Sequence, residues 1–531
     1  MKNIKIITLG LAALLSFGSC SDDDYTEKYE NPAQTTNASC DKLMTGVFYG
    51  ARKYIYNSYD RMYMWENGIL GRYAQTIGFS NAESTLWSAN DGYVNTRWAN
   101  FYETLIQFRA LQNKFENEDE KMQANDKIYI ALGEVVVLDQ LSQMVDAFGD
   151  VPFSEAGYLG LTGDVQGSFP SYDNAADLYK MMIERLGKLS SDINAYKANP
   201  SPLAAESLPK QDFINNGDLT KWVKYTNGLR LRLAMRVSSN GALKEQGIAA
   251  VKDVLAGGKA ILAGSDEDIY VQPDLDGFNF VDNIRDGYKD HSRASQEMLN
   301  VLLTEDEVGQ NDYRLPIMYS KNAAGEYKGM STHEKLADQT HNIELPEAER
   351  VYSRIDSTTV IYNSHLMSPI VTKAEMDFLK AEAIERKMVS GDAKTAFVDG
   401  VMHSTQMYFA ENEVSESTLG NHTAVAPSDA DVRAYAAKLW DNADNKLEII
   451  GAQKWLHFGF LQTSQAWSEL RRTGYPELYY PKDPTAQLFK TLPHRVRYPA
   501  SERNNNTEKY NEQLQKMGGK DDAYIKLFWA K

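Results

Sequence analysis

Apolar side chains recur along this chain with a helical period and only rarely with the period of a strand. From Asn125 to Phe148, Ile128, Leu132, Val135 and Val136 fall on one face, and Gly149 and Pro152 supply a cap and a stop. Asp173 to Ile193 repeats the pattern with Tyr179, Met182, Ile183 and Leu186 at i, i+3, i+4 and i+7. Asp218 opens a third helix whose stripe is Trp222, Tyr225, Leu229 and Leu233, with Arg230, Arg232 and Arg236 interleaved. Thr372 and Glu375 stand in capping-box spacing at the head of a fourth. A further helix from Ala393 follows across Ser390, Gly391 and Asp392, which predicts a helical hairpin. Asp431 to Trp440 and Lys446 to Leu461 predict another pair, and Gly474 with Pro476 ends the segment carrying Arg471 and Arg472. Strand-like alternation is confined to short pieces such as Arg354 to Tyr362.

Antiparallel helix pairs without an alternating β-α rhythm predict a mainly α protein. The expected architecture is a superhelical scaffold of tetratricopeptide-like helix pairs with few short strands, although no strict repeat of about 34 residues runs through the chain. Two long stretches, about 65–98 and 264–369, lack the helical pattern and are predicted to form an irregular, loop-rich part. Loops of that length are functional or disordered, and these carry too many aromatic residues to be simply disordered.

The first forty residues follow a different logic. Lys2 and Lys5 precede an apolar run from Ile6 to Phe17, and Gly18, Ser19 and Cys20 follow it, which reads as a signal peptide over 1–19. A membrane-spanning helix needs about 20 apolar residues, and this run is shorter and broken by Thr8, Gly10 and Ser16. The end of the run, LSFGSC, resembles a bacterial lipobox, which implies that Cys20 becomes an acylated first residue. Each buried CH₂ contributes about 0.8 kcal/mol, so a multiply acylated cysteine anchors a protein to a membrane that it does not span. Asp22, Asp23 and Asp24 begin a flexible acidic linker that runs to residue 38. In lipoproteins of the Bacteroidota, such a tract after the lipidated cysteine resembles the signal for the outer face of the outer membrane. The remainder, 39–531, reads as a single domain.

Charge and cysteine count narrow the function. There are 56 Lys+Arg against 73 Asp+Glu; without Lys2 and Lys5 the balance is 54 against 73, a net charge of −19. Nucleic acid is therefore not an expected partner, and the membrane is reached through the lipid anchor alone. Only two cysteines occur, so with Cys20 acylated, Cys40 has no partner, and neither a disulfide framework nor a cysteine metal site is expected.

No H-E-x-x-H, P-loop or G-x-S-x-G motif is present, and no cofactor motif, so no catalytic residue is assigned. Paired carboxylates for glycoside cleavage are defined in space, so sequence does not test for them. The stretch from Asp266 to Asp276 carries five acidic residues but lacks the terminal glutamate of a calcium loop and reads as a solvated acidic loop, with no metal assigned. The irregular regions are more informative. Trp87, Tyr93 and Trp98 are interspersed with Ser88, Asn90, Asp91 and Asn95; Phe278, Phe280 and Tyr288 with Asn279, Asp282, Asn283, Arg285 and Asp286. Such mixtures suit a polyhydroxylated ligand, because rings cover the C–H faces of a sugar while amides and carboxylates orient its hydroxyls. Candidate ligand contacts are Trp87, Asn90, Tyr93, Phe278, Phe280, Arg285, Asp286 and Tyr288. The opposing reading is that loop aromatics pin loops to the core; it is the expectation for Trp98, Trp222 and Trp455, which sit within helical periodicity.

Five segments carry a family resemblance: VDAFGDVPFSEA (Val145–Ala156), DLTKWVKYTNGLRLRLAMRVS (Asp218–Ser238), EMDFLKAEAIER (Glu375–Arg386), QKWLHFGFLQTSQAWSELRRTGYP (Gln453–Pro476) and Arg495–Lys531. In this order, with the lipobox, the chain resembles the SusD/RagB family of surface nutrient-binding lipoproteins. The resemblance implies four tetratricopeptide-like helix pairs packed against an irregular ligand-binding part. It also implies a non-catalytic lid that captures an oligosaccharide, or a peptide in the RagB kind, for a SusC-type TonB-dependent transporter. The matching motifs are scaffold motifs, and their arginines are expected in buried or helix-end ion pairs. The rival classes are a surface glycoside hydrolase on the same anchor and a purely structural assembly subunit.

Overall fold

The computed structural model describes residues 38–531 apart from 80–85, 240, 257, 258, 260, 276, 484, 485, 487 and 488. The predicted signal segment, Cys20 and the linker up to residue 37 lie outside the described residues, as does Asp276. Chain contacts set Met1–Ser39 apart from Cys40–Lys531, and the fold below is that of the second unit.

Mainly α architecture is what the hydrophobic period builds. Ten helices organise the scaffold: α1 (Cys40–Ile55), α2 (Asp91–Glu116), α3 (Glu120–Phe148), α4 (Ala175–Ala198), α5 (Leu219–Val237), α6 (Lys373–Glu385), α7 (Ala393–Glu413), α8 (Asp429–Asn442), α9 (Lys446–Phe458) and α10 (Thr463–Thr473). They pack as consecutive neighbours, α1 on α2 and α3, α4 on α5, α6 on α7, α7 on α8, and α9 on α6 and α10. Helix starts follow capping chemistry: Asp218 accepts the N–H groups of Thr220 and Lys221, and Asp392 those of Lys394 and Thr395. Thr372 accepts the Glu375 N–H at 3.3 Å. The capping box is not completed, because the Glu375 carboxylate turns inward to Arg232. By composition α3 is apolar enough to cross a membrane, yet its side chains are packed inside the protein.

Ion pairs sit within this apolar body. Arg472 donates to Glu382 and Glu469, and Lys454 lies 2.9 Å from the first and 2.5 Å from the second, all four side chains being enclosed. Arg232 forms two 2.6 Å bonds to Glu375, and Arg236 pairs with Asp146. Arg230, Arg232, Arg236 and Arg472 are thus in ion pairs, as expected of them, whereas Arg471 is buried against the Trp467 ring and donates to the His494 carbonyl at 3.0 Å, with no acidic partner among the described residues. Neighbouring cations hold the Glu382 and Glu469 carboxyls below the usual range despite burial.

Several boundaries differ from the sequence expectation. Helix α3 begins at Glu120, capped by Asp119, rather than at Asn125. Helix α4 begins after Asn174, because Asp173 accepts the N–H groups of Phe153 and Ser154 instead of capping. The predicted strand Arg354–Tyr362 survives only as a two-residue strand, Arg354–Ile355, because Asp356 accepts the Thr358 and Thr359 N–H groups and turns the chain into a π-helical segment. The first irregular stretch is helical at both ends, with a π-helical segment Tyr59–Leu70 entering it and α2 leaving it. The second carries short helices, including Phe280–Asn283, Arg285–His291 and Gln296–Leu302. Two short strands matter below: β1 (Gly78–Phe79) and β2 (Ser292–Arg293), antiparallel to each other.

Candidate ligand-binding cleft

The two irregular regions meet where β1 pairs with β2, Gly78 opposite Arg293 and Phe79 opposite Ser292. A bridge between Ser295 and Met330 continues the junction. A side chain at Gly78 would place its Cβ 2.7 Å from that of Met330, so glycine allows the close approach. The junction opens into a narrow cleft of about 40 Å³. Arg72, Gln75, Ile77, Leu86 and Trp87 line it from the first region, and Ser295, Glu297, Met330, Ser331, Thr332 and Gln339 from the second.

Its polar wall is centred on Glu297. Ser295 Oγ lies 3.0 Å from one carboxylate oxygen, and the Ser331 and Thr332 hydroxyls donate to the other at 3.3 and 3.4 Å. Gln75 caps a one-turn helix at φ 52°, a left-handed conformation unusual for a residue with a side chain. Its amide donates to the Tyr479 carbonyl at 2.7 Å, while its Oε1 is buried without a hydrogen-bond partner among the described residues. Local strain held by surrounding contacts is a feature of binding and catalytic sites. At the rim the His333 and Tyr479 rings stack 4.3 Å apart at 12°, and Tyr479 is 56% exposed. The cleft thus combines an exposed ring face with clustered donors and acceptors and one carboxylate among its described lining residues.

The sequence candidates distribute unevenly around this cleft. Trp87 lines it but is only 1% exposed; its indole donates to the Pro481 carbonyl at 3.0 Å and packs 5.8 Å from Tyr480, so it forms a wall and not an open platform. Asn90 caps α2, accepting the N–H groups of Gly92 and Tyr93 at 2.8 and 3.2 Å. Half-buried Tyr93 packs over Gly68, where a Cβ would sit 3.0 Å from the ring. None of the second group lines the cleft. Phe280 and Tyr288 are core residues in edge contact at 5.1 Å, correcting the expectation of accessible ring faces. Phe278 stacks on Tyr56 at 5.5 Å with the Arg52 guanidinium 5.0 Å from its ring. Arg285 and Asp286 pair with each other at 2.9 Å, and Arg285 lies over Tyr362. Trp98, Trp222 and Trp455 are core, in line with their helical positions.

Acidic residues in the 266–276 stretch are also tied inward. Glu267 pairs with Lys224, and Asp268 accepts the Lys373 N–H at 2.6 Å. Asp268 is buried rather than solvated, and burial pushes its carboxyl up to about 8. Arg61, Glu66, Asp139 and Arg232 line a second small cavity of about 30 Å³. Tyr480, which packs on Trp87, also lines a wider groove of about 610 Å³ with Leu478, Leu492 and Tyr524.

Sequence reasoning missed Gln75, Glu297, His333 and Tyr479. Each sits in a segment without periodic signal, and the stack joins rings 146 positions apart in the chain. The doubled tyrosine at Tyr479 and Tyr480, just before Pro481, is the one local cue: an aromatic pair outside any helix.

A family model, SusD-like_2, described as "Starch-binding associating with outer membrane", matches residues 32–499. No curated protein matches the sequence. Solved structures share the fold at low identity. A chitin-binding protein is 22% identical with a TM-score of 0.71, covering 93% of this chain and 100% of its own. A SusD homologue from Bacteroides fragilis is 18% identical with a TM-score of 0.71 and the same coverage. A chitin-binding SusD homologue from Flavobacterium johnsoniae is 18% identical with a TM-score of 0.68, covering 92% of this chain and 98% of its own.

Proposed function

We propose, given that this chain belongs to the SusD-like family of starch-binding proteins associating with the outer membrane, that it captures an oligosaccharide across the mouth of the narrow cleft between its two irregular regions. In this reading it is a non-catalytic lipoprotein, acylated at Cys20 and exposed at the cell surface, that hands the ligand to a SusC-type TonB-dependent transporter.

One observation carries the binding site. The cleft sets an exposed stacked ring pair, His333 and Tyr479, beside a carboxylate ringed by hydroxyls, at the point where both irregular regions converge. A pyranose offers the complement, a C–H face for the ring and hydroxyls for Glu297 and Gln75. Glycoside cleavage uses two carboxylates, whereas Glu297 stands alone among the described lining residues, which favours capture over hydrolysis.

Calorimetric titration of the chain carrying Cys20→Ser tests this against starch- and chitin-derived oligosaccharides and a peptide panel, with product analysis of every sample. Saturable binding of one glycan class without cleavage is expected. Tyr479→Ala is expected to weaken it about tenfold, or about 1.4 kcal/mol, at unchanged melting temperature, because that ring is exposed. Cleavage products would overturn the non-catalytic reading. Binding confined to peptides would overturn the carbohydrate assignment. Co-purification of the acylated protein with a TonB-dependent transporter from outer membranes tests the partner.

A further inference from the structure

We propose that Cys40, Glu118 and Asp126 form a binding site for a divalent transition metal, best matched by zinc, which fastens the start of the folded unit to the α2–α3 turn. The three residues come from the first position of α1, the turn after α2 and the second turn of α3. One thiol sulfur and two carboxylate oxygens lie within 4.8 Å of one another. In a tetrahedral zinc site, bonds of about 2.3 Å to sulfur and about 2.0–2.2 Å to oxygen set the ligand atoms some 3–4 Å apart. Small side-chain rotations close that difference.

The second observation is an orphaned acceptor. The Glu118 side chain is 9% exposed, its Oε1 receives the Cys40 thiol at 3.5 Å, and its Oε2 is buried with no hydrogen-bond donor among the described residues, the Asp126 carboxyl being the other group in hydrogen-bond reach. Leaving a carboxylate oxygen buried and unpaired is costly, and a cation coordinated there removes the cost. Asp126 is oriented from behind by the Asn125 amide, itself held by Ser201, the outer support that metal ligands commonly have. Lys114, 3.9 Å from Glu118, is the cation placed against the cluster. A divalent ion together with Lys114 balances one thiolate and two carboxylates. Calcium and magnesium take oxygen ligands, whereas the mixed sulfur and oxygen set with a position left for water suits zinc.

This reverses the expectation drawn from the cysteine count, which considered cysteines pairing with each other and not one cysteine with two distant carboxylates. It stands apart from the carbohydrate reading. Its consequence is mechanical: Cys40 is the first residue of α1, so a metal there would oppose fraying of that helix.

The test uses the full chain with Cys20→Ser, so that Cys40 is the only thiol, stripped with EDTA and returned to chelator-free buffer. Titration with Co²⁺ is expected to give one bound ion per chain with strong thiolate-to-cobalt absorption in the near ultraviolet, displaced by Zn²⁺. Zn²⁺ is expected to raise the melting temperature. Cys40→Ala should abolish the absorption, and Glu118→Gln and Asp126→Asn should each weaken binding at least about tenfold, the scale known for losing even outer partners. Glu118→Gln lies on a turn and keeps the side-chain shape, so it stays informative if Cys40→Ala fails to fold. Absence of the absorption from the stripped Cys20→Ser chain, its persistence in Cys40→Ala, or unchanged affinity in both carboxylate variants would overturn the site.

Discussion

In the scaffold, Arg472 and Lys454 meet Glu382 and Glu469 in a closed set where every charge faces an opposite one. In the cleft, Glu297 takes hydrogen bonds from hydroxyls, and among the described residues the Gln75 Oε1 has no hydrogen-bond partner. Both regions place polar groups at low exposure, but one network is complete and the other is left open. A complete buried network specifies one packing, since any rearrangement strands a charge in low dielectric. An open one has donors and acceptors that a ligand can satisfy, at the expense of local strain such as the left-handed Gln75. The contrast makes the helix pairs a holder and the irregular regions the part held.

The largest effect expected from breaking that contrast is in the holder. Glu382→Gln leaves Arg472 and Lys454 with one carboxylate between them and should cost about 3–5 kcal/mol in urea unfolding, while glycan affinity of the folded fraction stays unchanged. Lost affinity at full folding would mean that the network tunes the cleft as well.

Next is the seam between the regions. Glu411 on α7 accepts the Met367 N–H at 3.0 Å, and burial pushes its carboxyl up to about 8. With its folded value above the unfolded one, the native state holds a proton that the unfolded chain releases. Its stabilisation is therefore complete below the unfolded value and is lost as pH rises through about 8. Stability should fall over that window by up to about 1.4 kcal/mol per pH unit for this group, and Glu411→Gln should flatten the fall. Asp268 contributes in the same direction. His457, buried and pushed down to about 3, acts oppositely: the unfolded chain takes up its proton first, so stability drops as pH falls below the usual histidine value. A pH profile of unfolding free energy with no slope above pH 5 would contradict the Glu411 assignment.

Within the cleft, Glu297→Gln keeps the shape and removes the charge. Glycan affinity should fall about tenfold, with stability changing by less than about 1 kcal/mol, read by calorimetry and melting on the same samples. Smallest of all, Asp286→Asn should leave both melting temperature and affinity unchanged, since its carboxylate is exposed, pairs with Arg285 and Lys289, and does not line the cleft. A loss of affinity there would move the site toward the Phe278–Tyr288 segment.

The scaffold was legible because its signals are local. The stripe of Trp222, Tyr225, Leu229 and Leu233 and the cap at Asp218 specify α5 within twenty residues, whatever it packs against. The candidate site was legible only in part. Trp87 was found because an aromatic residue in a non-helical stretch stands out, and it does line the cleft. Phe280 and Tyr288 carried the same signal and became core, because a ring that would bind a sugar and a ring that pins a loop are the same residue to a sequence reader.

What the sequence determined by itself is therefore what periodicity and capping encode: a mainly α body of helix pairs. The tertiary structure alone decided the rest. Tyr479 stacks on His333, Glu297 is ringed by hydroxyls from two segments, and Cys40 gathers Glu118 and Asp126. Helix formation is cooperative over neighbouring residues and writes a period into the chain. A site assembled from segments dozens to hundreds of residues apart leaves no period, and it exists only once packing has brought its parts together.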